Sequence, residues 1–208
     1  MTLSENHNLA IVFDFGGVLL DWSPRYLYKK HFNGDIEAVD RFLAEVGFYA
    51  WNDEQDRGRP FAEAVAELSA RFPQYAGLIR TYDEEYAQSI GGPIQTSVDK
   101  LRAIKQAGYP LYALSNWSVE KFEVVRPKYD FMDWFDDILI SGEVKLIKPD
   151  PRIFEAFLER THRRAEKCLF IDDSAQNIAV ARGMDFKTIH YQGPEQLDAE
   201  LRRQGVSF

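Results

Sequence analysis

Polar side chains follow several short apolar segments of this 208-residue sequence, at the points where the segments end. In a parallel sheet all such ends lie on one edge, and ligands bind in the crevice beyond the carboxyl ends of the strands. Two adjacent carboxylates after an apolar strand also repel each other, which favours a cation nearby. One carboxylate, one hydroxyl, one lysine and one carboxylate pair are therefore expected to converge on a single crevice: Asp14, Ser115, Lys148, Asp172 and Asp173.

Each of these residues also has a simpler structural explanation when it is taken alone. Asp14 and Ser115 are residue types that cap the next turn or helix, and adjacent aspartates are favourable at a helix N-terminus. Lys148 stands before a proline and is consistent with a solvated lysine at the start of a helix. The single residues leave both interpretations open.

Apolar periodicity predicts helices and strands that alternate from about residue 94 to residue 190. Strands that alternate with helices indicate a parallel sheet covered on both faces. The sequence therefore predicts an α/β fold with a Rossmann-like three-layer core. The predicted strands are 11–13, 109–114, 137–140, 168–171 and 187–190, and the predicted helices are 96–107, 119–125, 151–160 and 177–182.

A helical segment separates the first strand from the rest of the core. Ser23 followed by Pro24 is typical of an N-cap and a first helical position, and predicts a helix over 25–31. Apolar residues then recur at helical spacing to about residue 90, with no convincing strand pattern. Two glycines and a proline at 91–93 would return the chain to the core. We therefore expect a core of residues 1–20 and 94–208 and a small helical cap of residues 21–93.

The composition is that of an ordinary globular protein, with 45% hydrophobic and 28% charged residues. A formal net charge of −8 argues against nonspecific nucleic-acid binding. The single cysteine, Cys168, fits a reducing compartment and stands in a predicted strand, where it indicates a buried small hydrophobe. No apolar run reaches the length of a membrane span, and residues 1–8 lack a signal-peptide pattern. We expect a cytoplasmic monomer or homodimer with no nucleic-acid or membrane partner.

Four segments, taken in order, resemble the signature motifs of the haloacid dehalogenase-like hydrolase superfamily. The most specific are FDFGGV at 13–18, KPDP at 148–151 and IDDS at 171–174. The resemblance spans nearly the whole chain and is strongest to the capped phosphatase branch, in particular the phosphatase domain of soluble epoxide hydrolases and certain sugar-phosphate phosphatases. It implies a Mg²⁺-dependent phosphatase acting on a small phosphorylated metabolite.

The resemblance also implies a role for each residue at the strand ends. Asp14 would attack phosphorus and form an aspartyl-phosphate. Asp14, Asp173 and the Gly16 carbonyl would bind Mg²⁺, and Asp172 would bind it directly or through water. Because this reaction brings two anions together, the site must supply positive charge. Lys148 would neutralise the phosphate and the nucleophile.

Substrate contacts are expected from the core and from the cap. Ser115 and the Asn116 backbone N–H would hold the nonbridging oxygens, and Gly17 lets the backbone approach a ligand closely. The aromatic residues of the cap could equally form its core. The candidates for substrate selection are Trp22, Arg25, Tyr49, Trp51, Arg57 and Trp117.

Position 16 departs from the pattern of the family. Phosphatases of this superfamily usually carry a second Asp two residues after the nucleophile, which protonates the leaving group and later activates water. Here that residue is Gly16, and general acid–base catalysis is worth roughly 10²–10⁴ in rate. Either the enzyme favours good leaving groups, such as anomeric sugar phosphates or acyl phosphates, or another group, Asp21 or a cap residue, supplies the proton.

Two other functions stay open at this point. A 2-haloacid dehalogenase also forms an aspartyl ester but needs no divalent metal, which would leave the Asp172–Asp173 pair poorly balanced beside Asp14. A binding or regulatory protein on a weakened phosphatase fold is favoured by Gly16 alone. The joint presence of the other motif residues speaks against it.

Overall fold

The computed structural model of the protein describes residues 8–208. Seven strands occur in this part of the chain: β1 (Ala10–Phe13), β2 (Leu20–Trp22), β3 (Ile90–Pro93), β4 (Leu111–Ser115), β5 (Asp137–Ile140), β6 (Cys168–Asp172) and β7 (Lys187–His190). Five of them form a parallel sheet in the order β5–β4–β1–β6–β7. The segment 1–7, which holds most of the N-terminal stretch predicted to carry no signal peptide, lies outside the described residues.

The helices between the strands follow the predicted alternation. Those of the helical segment after β2 are α1 (Pro24–Tyr28), α2 (Ile36–Glu45), α3 (Phe48–Asp56), α4 (Phe61–Arg71) and α5 (Ala76–Glu84). Those that follow β3 are α6 (Gln95–Gln106), α7 (Val119–Val125), α8 (Ser141–Val144), α9 (Pro151–Thr161), α10 (Ala175–Gly183) and α11 (Pro194–Arg203). Helices α8 and α11 were not among the predicted elements.

The sheet is covered by helices on both faces, because its central strands carry apolar side chains on both faces. In β1, Ile11 and Phe13 belong to one buried cluster, which includes apolar residues of α6 and α11. Ala10 and Val12 belong to a second buried cluster, which includes apolar residues of α9 and α10. Successive side chains of a strand point to opposite faces, so a fully apolar strand must be buried on both sides. The predicted Rossmann-like three-layer α/β core is confirmed.

Strand β1 lies at the centre of the sheet and is the point at which the strand order reverses. The chain passes from β1 to β4 and β5 on one side, and then returns to β6 and β7 on the other. The crevice beyond the carboxyl ends of strands at such a switch point is the usual ligand site of an open α/β sheet. The residues directly after β1, β4 and β6 therefore share one edge of the sheet.

The segment predicted to lack strands is in fact bounded by two of them. Strands β2 and β3 pair antiparallel, with Leu20 opposite Pro93 and Asp21 opposite Gly92. Neither strand was among the predicted elements, because two glycines and a proline carry no strand pattern and the pairing arises from tertiary contact between β2 and β3. Ser23 caps α1 as predicted, its side chain accepting from the Arg25 N–H. The division of the chain at residues 20/21 and 93/94 stays a prediction, and "cap" below means residues 21–93.

The cap helices pack on one another largely through aromatic rings. Tyr28 packs edge to face with Phe42, at 4.9 Å between ring centroids, and Phe48 packs edge to face with Tyr82 at 4.8 Å. Such pairs add to the free energy gained by burying the rings. These contacts join the cap helices to one another, and the buried cluster to which they belong continues into the main sheet.

Among residues 8–208, no helix has both the length and the apolar character needed to cross a membrane.

Candidate active site

Asp14 lies directly after β1, where three hydrogen-bond donors hold its carboxylate. Its Oδ1 accepts from the Ser115 hydroxyl at 2.6 Å and from the Phe15 N–H at 2.8 Å. Its Oδ2 lies 3.0 Å from the Lys148 ammonium. The register of β1 with β4 and β6 produces this arrangement, because it places Ser115 and Asp172 on either side of Asp14. The carboxylate is therefore held in one orientation at the crevice.

Lys148 is buried, and its ammonium has an acceptor for each of its three protons. Besides Asp14, it contacts Asp172 Oδ2 at 2.7 Å and the Leu114 carbonyl at 2.9 Å. The Asn116 side chain fixes the lysine backbone, since its amide donates to the Lys148 carbonyl at 3.0 Å and accepts from the Lys148 N–H at 2.8 Å. The predicted substrate contact of Asn116 is its backbone N–H. Its side chain has a separate role, which is to position Lys148.

The two aspartates at the carboxyl end of β6 lie in different environments. Asp172 is fully buried and accepts from Asn177 Nδ2, at 3.0 Å to each oxygen, and from the Ser174 N–H at 2.8 Å. Asp173 is exposed. Carboxylate oxygens of Asp14, Asp172 and Asp173 lie within 4.8 Å of one another. Three carboxylates with a single lysine leave an excess of negative charge, and hard oxygen donors are the ligands that Mg²⁺ prefers, so the donor set fits this ion.

Burial and the charges of neighbouring residues shift the pKa values of the groups in this cluster. Burial raises the pKa of Asp14 to about 7; the charge of Asp172 acts in the same direction, whereas the Lys148 charge and the Ser115 hydrogen bond oppose it. Burial, followed by the charge of Asp172, raises the pKa of Asp173. For Lys148, burial lowers the pKa, but Asp14 and Asp172 outweigh burial and the net shift is upward. A divalent cation would relieve the repulsion among these carboxylates.

Position 17 requires a glycine, because the Asp173 carboxylate occupies the space where a side chain would lie. Its φ is +71°, a conformation that residues with a Cβ rarely adopt, and a Cβ there would lie 2.2 Å from Asp173 Oδ2. Gly16 differs, because its φ is outside the left-handed region and a Cβ would meet nothing within 4 Å. A side chain could therefore occupy position 16, and its absence leaves open space on the cavity wall.

A cavity of about 220 Å³ lies between this edge of the sheet and the cap. The core contributes Gly16, Ser115, Asn116 and Trp117 to its wall, the β2–β3 ribbon contributes Leu20, Trp22 and Ile90, and the cap helices and the turn after α5 contribute Tyr49, Asn52, Asp53, Asp56 and Tyr86. Helix α3 places four of these residues at spacings of three and four, which is one helix face. That spacing is the signal by which Asn52, Asp53 and Asp56 could have been found in the sequence, where only Tyr49 was singled out.

Two predicted substrate contacts do not agree with the positions of the residues. Arg25 is exposed and forms an ion pair with Asp40, at 2.7 Å between Nε and Oδ1, and it does not line the cavity. Trp51 is buried in the cap core, where its indole N–H donates to the Ala64 carbonyl at 3.1 Å and its ring packs against Phe61. Arg25 is used in a surface ion pair and Trp51 in packing, and neither lines the cavity.

The remaining predicted site residues come together at the sheet edge. Asp14, Gly16, Gly17, Ser115, Asn116, Trp117, Lys148, Asp172 and Asp173 all contact the cavity or the cluster beside it. Asp21, named as a candidate proton donor, is exposed, and its carboxylate accepts from the Tyr26 hydroxyl at 2.5 Å. Their catalytic and ligand-binding roles stay predictions.

Comparison with known proteins identifies the family. A family model described as haloacid dehalogenase-like hydrolase matches residues 9–185. The chain belongs to this family. The membership that the motifs predicted is therefore confirmed, and the protein is a haloacid dehalogenase-like hydrolase.

Relatives of this hydrolase include both phosphatases and dehalogenases. It is 25% identical over 198 residues to the sesquiterpene phosphatase astK of Aspergillus oryzae, covering 93% of this chain and 95% of the relative. It is 29% identical over 187 residues to an (S)-2-haloacid dehalogenase of Pseudomonas putida, covering 85% of this chain and 81% of the relative. Among solved structures, a HAD family enzyme of Bacteroides thetaiotaomicron in complex with magnesium and inorganic phosphate has a TM-score of 0.68 at 23% identity, with 89% of this chain and 94% of that chain covered. That likeness shows the shared fold.

Gly17→Ala is expected to destabilise the protein for two reasons. The new Cβ would displace the Asp173 carboxylate, and the alanine backbone would be held at an unfavourable φ. A left-handed conformation costs about 1–2 kcal/mol for a residue other than glycine, which lowers the Tm of a protein of this size by about 2–8 °C. Thermal unfolding without added metal measures the change. Gly16→Ala is the matched control and should leave the Tm nearly unchanged. Equal Tm values for the two variants would contradict the contact between Gly17 and Asp173.

Mg²⁺ is expected to raise the Tm of the wild-type protein. A ligand present at about 100 times its dissociation constant stabilises a protein by about 2.7 kcal/mol, or about 5–10 °C here. Asp173→Asn should remove most of this shift, because it removes one anionic ligand, whereas Asp99→Asn on the exposed surface of α6 should keep it. Differential scanning fluorimetry provides the measurement. A full shift in Asp173→Asn would place the metal elsewhere.

Proposed function

We propose that this hydrolase is a Mg²⁺-dependent phosphatase that cleaves a small phosphate ester through an aspartyl-phosphate on Asp14. One observation carries the proposal: the Asp14 carboxylate, held by Ser115 and Lys148, lies within 4.8 Å of the carboxylates of Asp172 and Asp173. This arrangement supplies a nucleophile, a permanent cation and a set of oxygen ligands at one point of the sheet edge. Phosphoryl transfer to a carboxylate requires all three.

The residues of the chain divide the work of the reaction between them. Asp14 forms a bond to phosphorus as the bond from phosphorus to the leaving oxygen breaks. Lys148 lowers the repulsion between the two anions, since its ammonium lies 3.0 Å from Asp14 Oδ2. Ser115 aligns the nucleophile by its hydrogen bond to Oδ1. Asp14, Asp173 and the Gly16 carbonyl would hold Mg²⁺, with Asp172 bound directly or through water, and the ion would supply the additional positive charge that a phosphate requires.

The residues of the cavity wall favour a small substrate with a flat or apolar body. Four aromatic residues, Trp22, Tyr49, Tyr86 and Trp117, line it beside the polar end at Ser115. Aromatic faces bind both apolar groups and the faces of sugar rings. Sugar phosphates, among them the anomeric ones, and phosphates of small apolar alcohols are the substrates that this wall accommodates.

Dehalogenation is the second candidate, and it is supported by the 29% identity to the (S)-2-haloacid dehalogenase. The same nucleophile would then attack carbon and release a halide. The position of Asp173 argues against it, because a metal-free reaction leaves three clustered carboxylates balanced by Lys148 alone. The charge of the cluster therefore favours the phosphatase.

Phosphate release from a panel of sugar phosphates, alkyl phosphates, acyl phosphates and an aryl phosphate tests the proposal. Wild type should release phosphate with Mg²⁺ and lose the activity with a chelator. Asp14→Asn, which keeps the size of the side chain but removes the nucleophile, should reduce release by about 10³-fold or more. Asp99→Asn should behave as wild type.

The opposite outcomes are equally clear. Phosphate release that persists in Asp14→Asn would exclude Asp14 as the nucleophile. Chloride release from a 2-chloroacid, unaffected by chelator and accompanied by no phosphate release, would establish the dehalogenase. If neither phosphate nor chloride is released, the protein is a binding protein.

A further inference from the structure

The open space at Gly16 leaves the proposed phosphatase without a proton donor on the core side of the cavity. The leaving group of an alkyl phosphate must be protonated as it departs, and water must be deprotonated to hydrolyse the aspartyl-phosphate. The donor must therefore lie elsewhere on the cavity wall. Among the cavity-lining residues of the described chain, two are carboxylic acids, Asp53 and Asp56, both on α3 of the cap.

Building on the proposed function, we propose that Asp56 is the general acid and base of the reaction, supplied by the cap in place of a side chain at position 16. Asp56 lines the same cavity as Gly16 and Ser115, and it is half-buried, whereas Asp53 is exposed. Asp21, at the entry to the cap, does not line the cavity and is bound by the Tyr26 hydroxyl. Asp56 is thus the enclosed acid that faces the reacting edge.

A buried hydrogen-bond chain orients the Asp56 carboxylate. Asn52 Nδ2 donates to Asp56 Oδ2 at 3.0 Å, and Asn52 Oδ1 accepts from the Tyr82 hydroxyl at 2.9 Å. Tyr82 is fully buried among the aromatic rings of the cap core. This chain engages Oδ2, and Asp53 has no such support among the contacts described.

The end of α3 is tied directly to the catalytic core. The Asp56 carbonyl accepts from the Ser141 hydroxyl at 2.6 Å, and the same Ser141 oxygen accepts from the Trp117 N–H at 2.9 Å. Two residues later the chain passes so close to the core that a Cβ on Gly58 would lie 3.1 Å from the Gly142 carbonyl. Because Trp117 follows Ser115 by two residues, these contacts fix Asp56 relative to the nucleophile.

The electrostatic surroundings of Asp56 suit a group that donates and then accepts a proton. Burial raises its pKa to about 7, and the charge of Asp53 on its own helix and of Asp14 across the cavity act in the same direction. Hydrogen bonds from the Ser118 backbone and the Asn52 amide oppose the shift. The buried hydroxyls of Tyr82 and Tyr86 also lie close enough for the charge of Asp56 to act on them. An acid with a pKa near the working pH is well suited to both proton transfers.

The proton balance of the two steps is complete. In the first step the Asp14 oxygen bonds to phosphorus, the phosphorus–oxygen bond of the ester breaks, and the Asp56 proton passes to the departing alkoxide. In the second step the Asp56 carboxylate takes a proton from water, the water oxygen bonds to phosphorus, and the bond to Asp14 breaks. Alcohol and phosphate are released, and both aspartates return to their initial states.

Asp56→Asn tests the proposal when alkyl and aryl phosphates are compared. The kcat/KM for an alkyl phosphate should fall by roughly 10²–10⁴-fold, because its leaving group needs the proton. The first turnover of p-nitrophenyl phosphate should remain fast, since nitrophenolate departs without protonation. Slow hydrolysis of the aspartyl-phosphate should follow, so the variant gives a burst of about one nitrophenolate per active site. Glu54→Gln, an exposed residue of the same helix, is the control for both substrates.

The pH profile provides a readout that a merely structural role would not change. Because the acid must be protonated, the wild-type kcat/KM for the alkyl phosphate should fall as the pH rises through about 7. This decline should be absent in Asp56→Asn. If the Asn variant does not fold, Asp56→Ser allows the same comparison.

Three results would overturn the proposal. They are unchanged alkyl phosphate activity in Asp56→Asn, an equal loss on alkyl and aryl substrates without a burst, and the expected pattern in Asp21→Asn or Asp53→Asn instead. These are separate from a failure of the proposed function, in which the wild type itself would release no phosphate.

Discussion

The candidate active site depends on one buried ammonium group. Lys148 Nζ contacts Asp14, Asp172 and the Leu114 carbonyl within 3.0 Å, and so joins the carboxyl ends of β1, β4 and β6. A buried charge is costly unless it is paired and hydrogen-bonded, and these three acceptors meet that condition. With Asp173 added, the cluster keeps an excess of negative charge. That excess of charge fits a divalent cation, and such a cation together with Lys148 would favour a bound phosphate.

The cap meets a different requirement, which the core of this chain does not meet. Gly16 provides space but no proton, while α3 brings a polar face to the opposite wall of the cavity. Ser141, which directly follows β5, donates to the Asp56 carbonyl and accepts from the Trp117 N–H, and so joins that face to the loop after β4. The cap thus holds Asp56 on the wall opposite Gly16, in the same cavity as Ser115. Substrate selection and proton transfer would then depend on the same helix, α3.

The core half of the site could be predicted from the sequence because each residue directly follows its own apolar strand. Asp14, Ser115 and Asp172 needed only the rule that parallel strands end at one edge. The cap half could not be predicted in this way, because a polar stripe on α3 has the same spacing as a solvated helix face, and only packing against the core decides which it is. Trp51 illustrates the same limit, since an aromatic residue in a helical cap serves packing or binding equally well. Strand β3 was not predicted, because its residues acquire strand geometry only by pairing with β2.

The central claim is that Asp14 carries the phosphoryl group between the two steps. The most direct test is to mix the protein with an aryl phosphate and Mg²⁺, quench the reaction with acid within one turnover, and map the digest by tandem mass spectrometry. The account predicts one added phosphoryl group on the peptide that contains Asp14, absent when a chelator replaces Mg²⁺ and absent in Asp14→Asn. A phosphoryl group on any other residue, or phosphate release in which Asp14 never becomes labelled, would contradict the account.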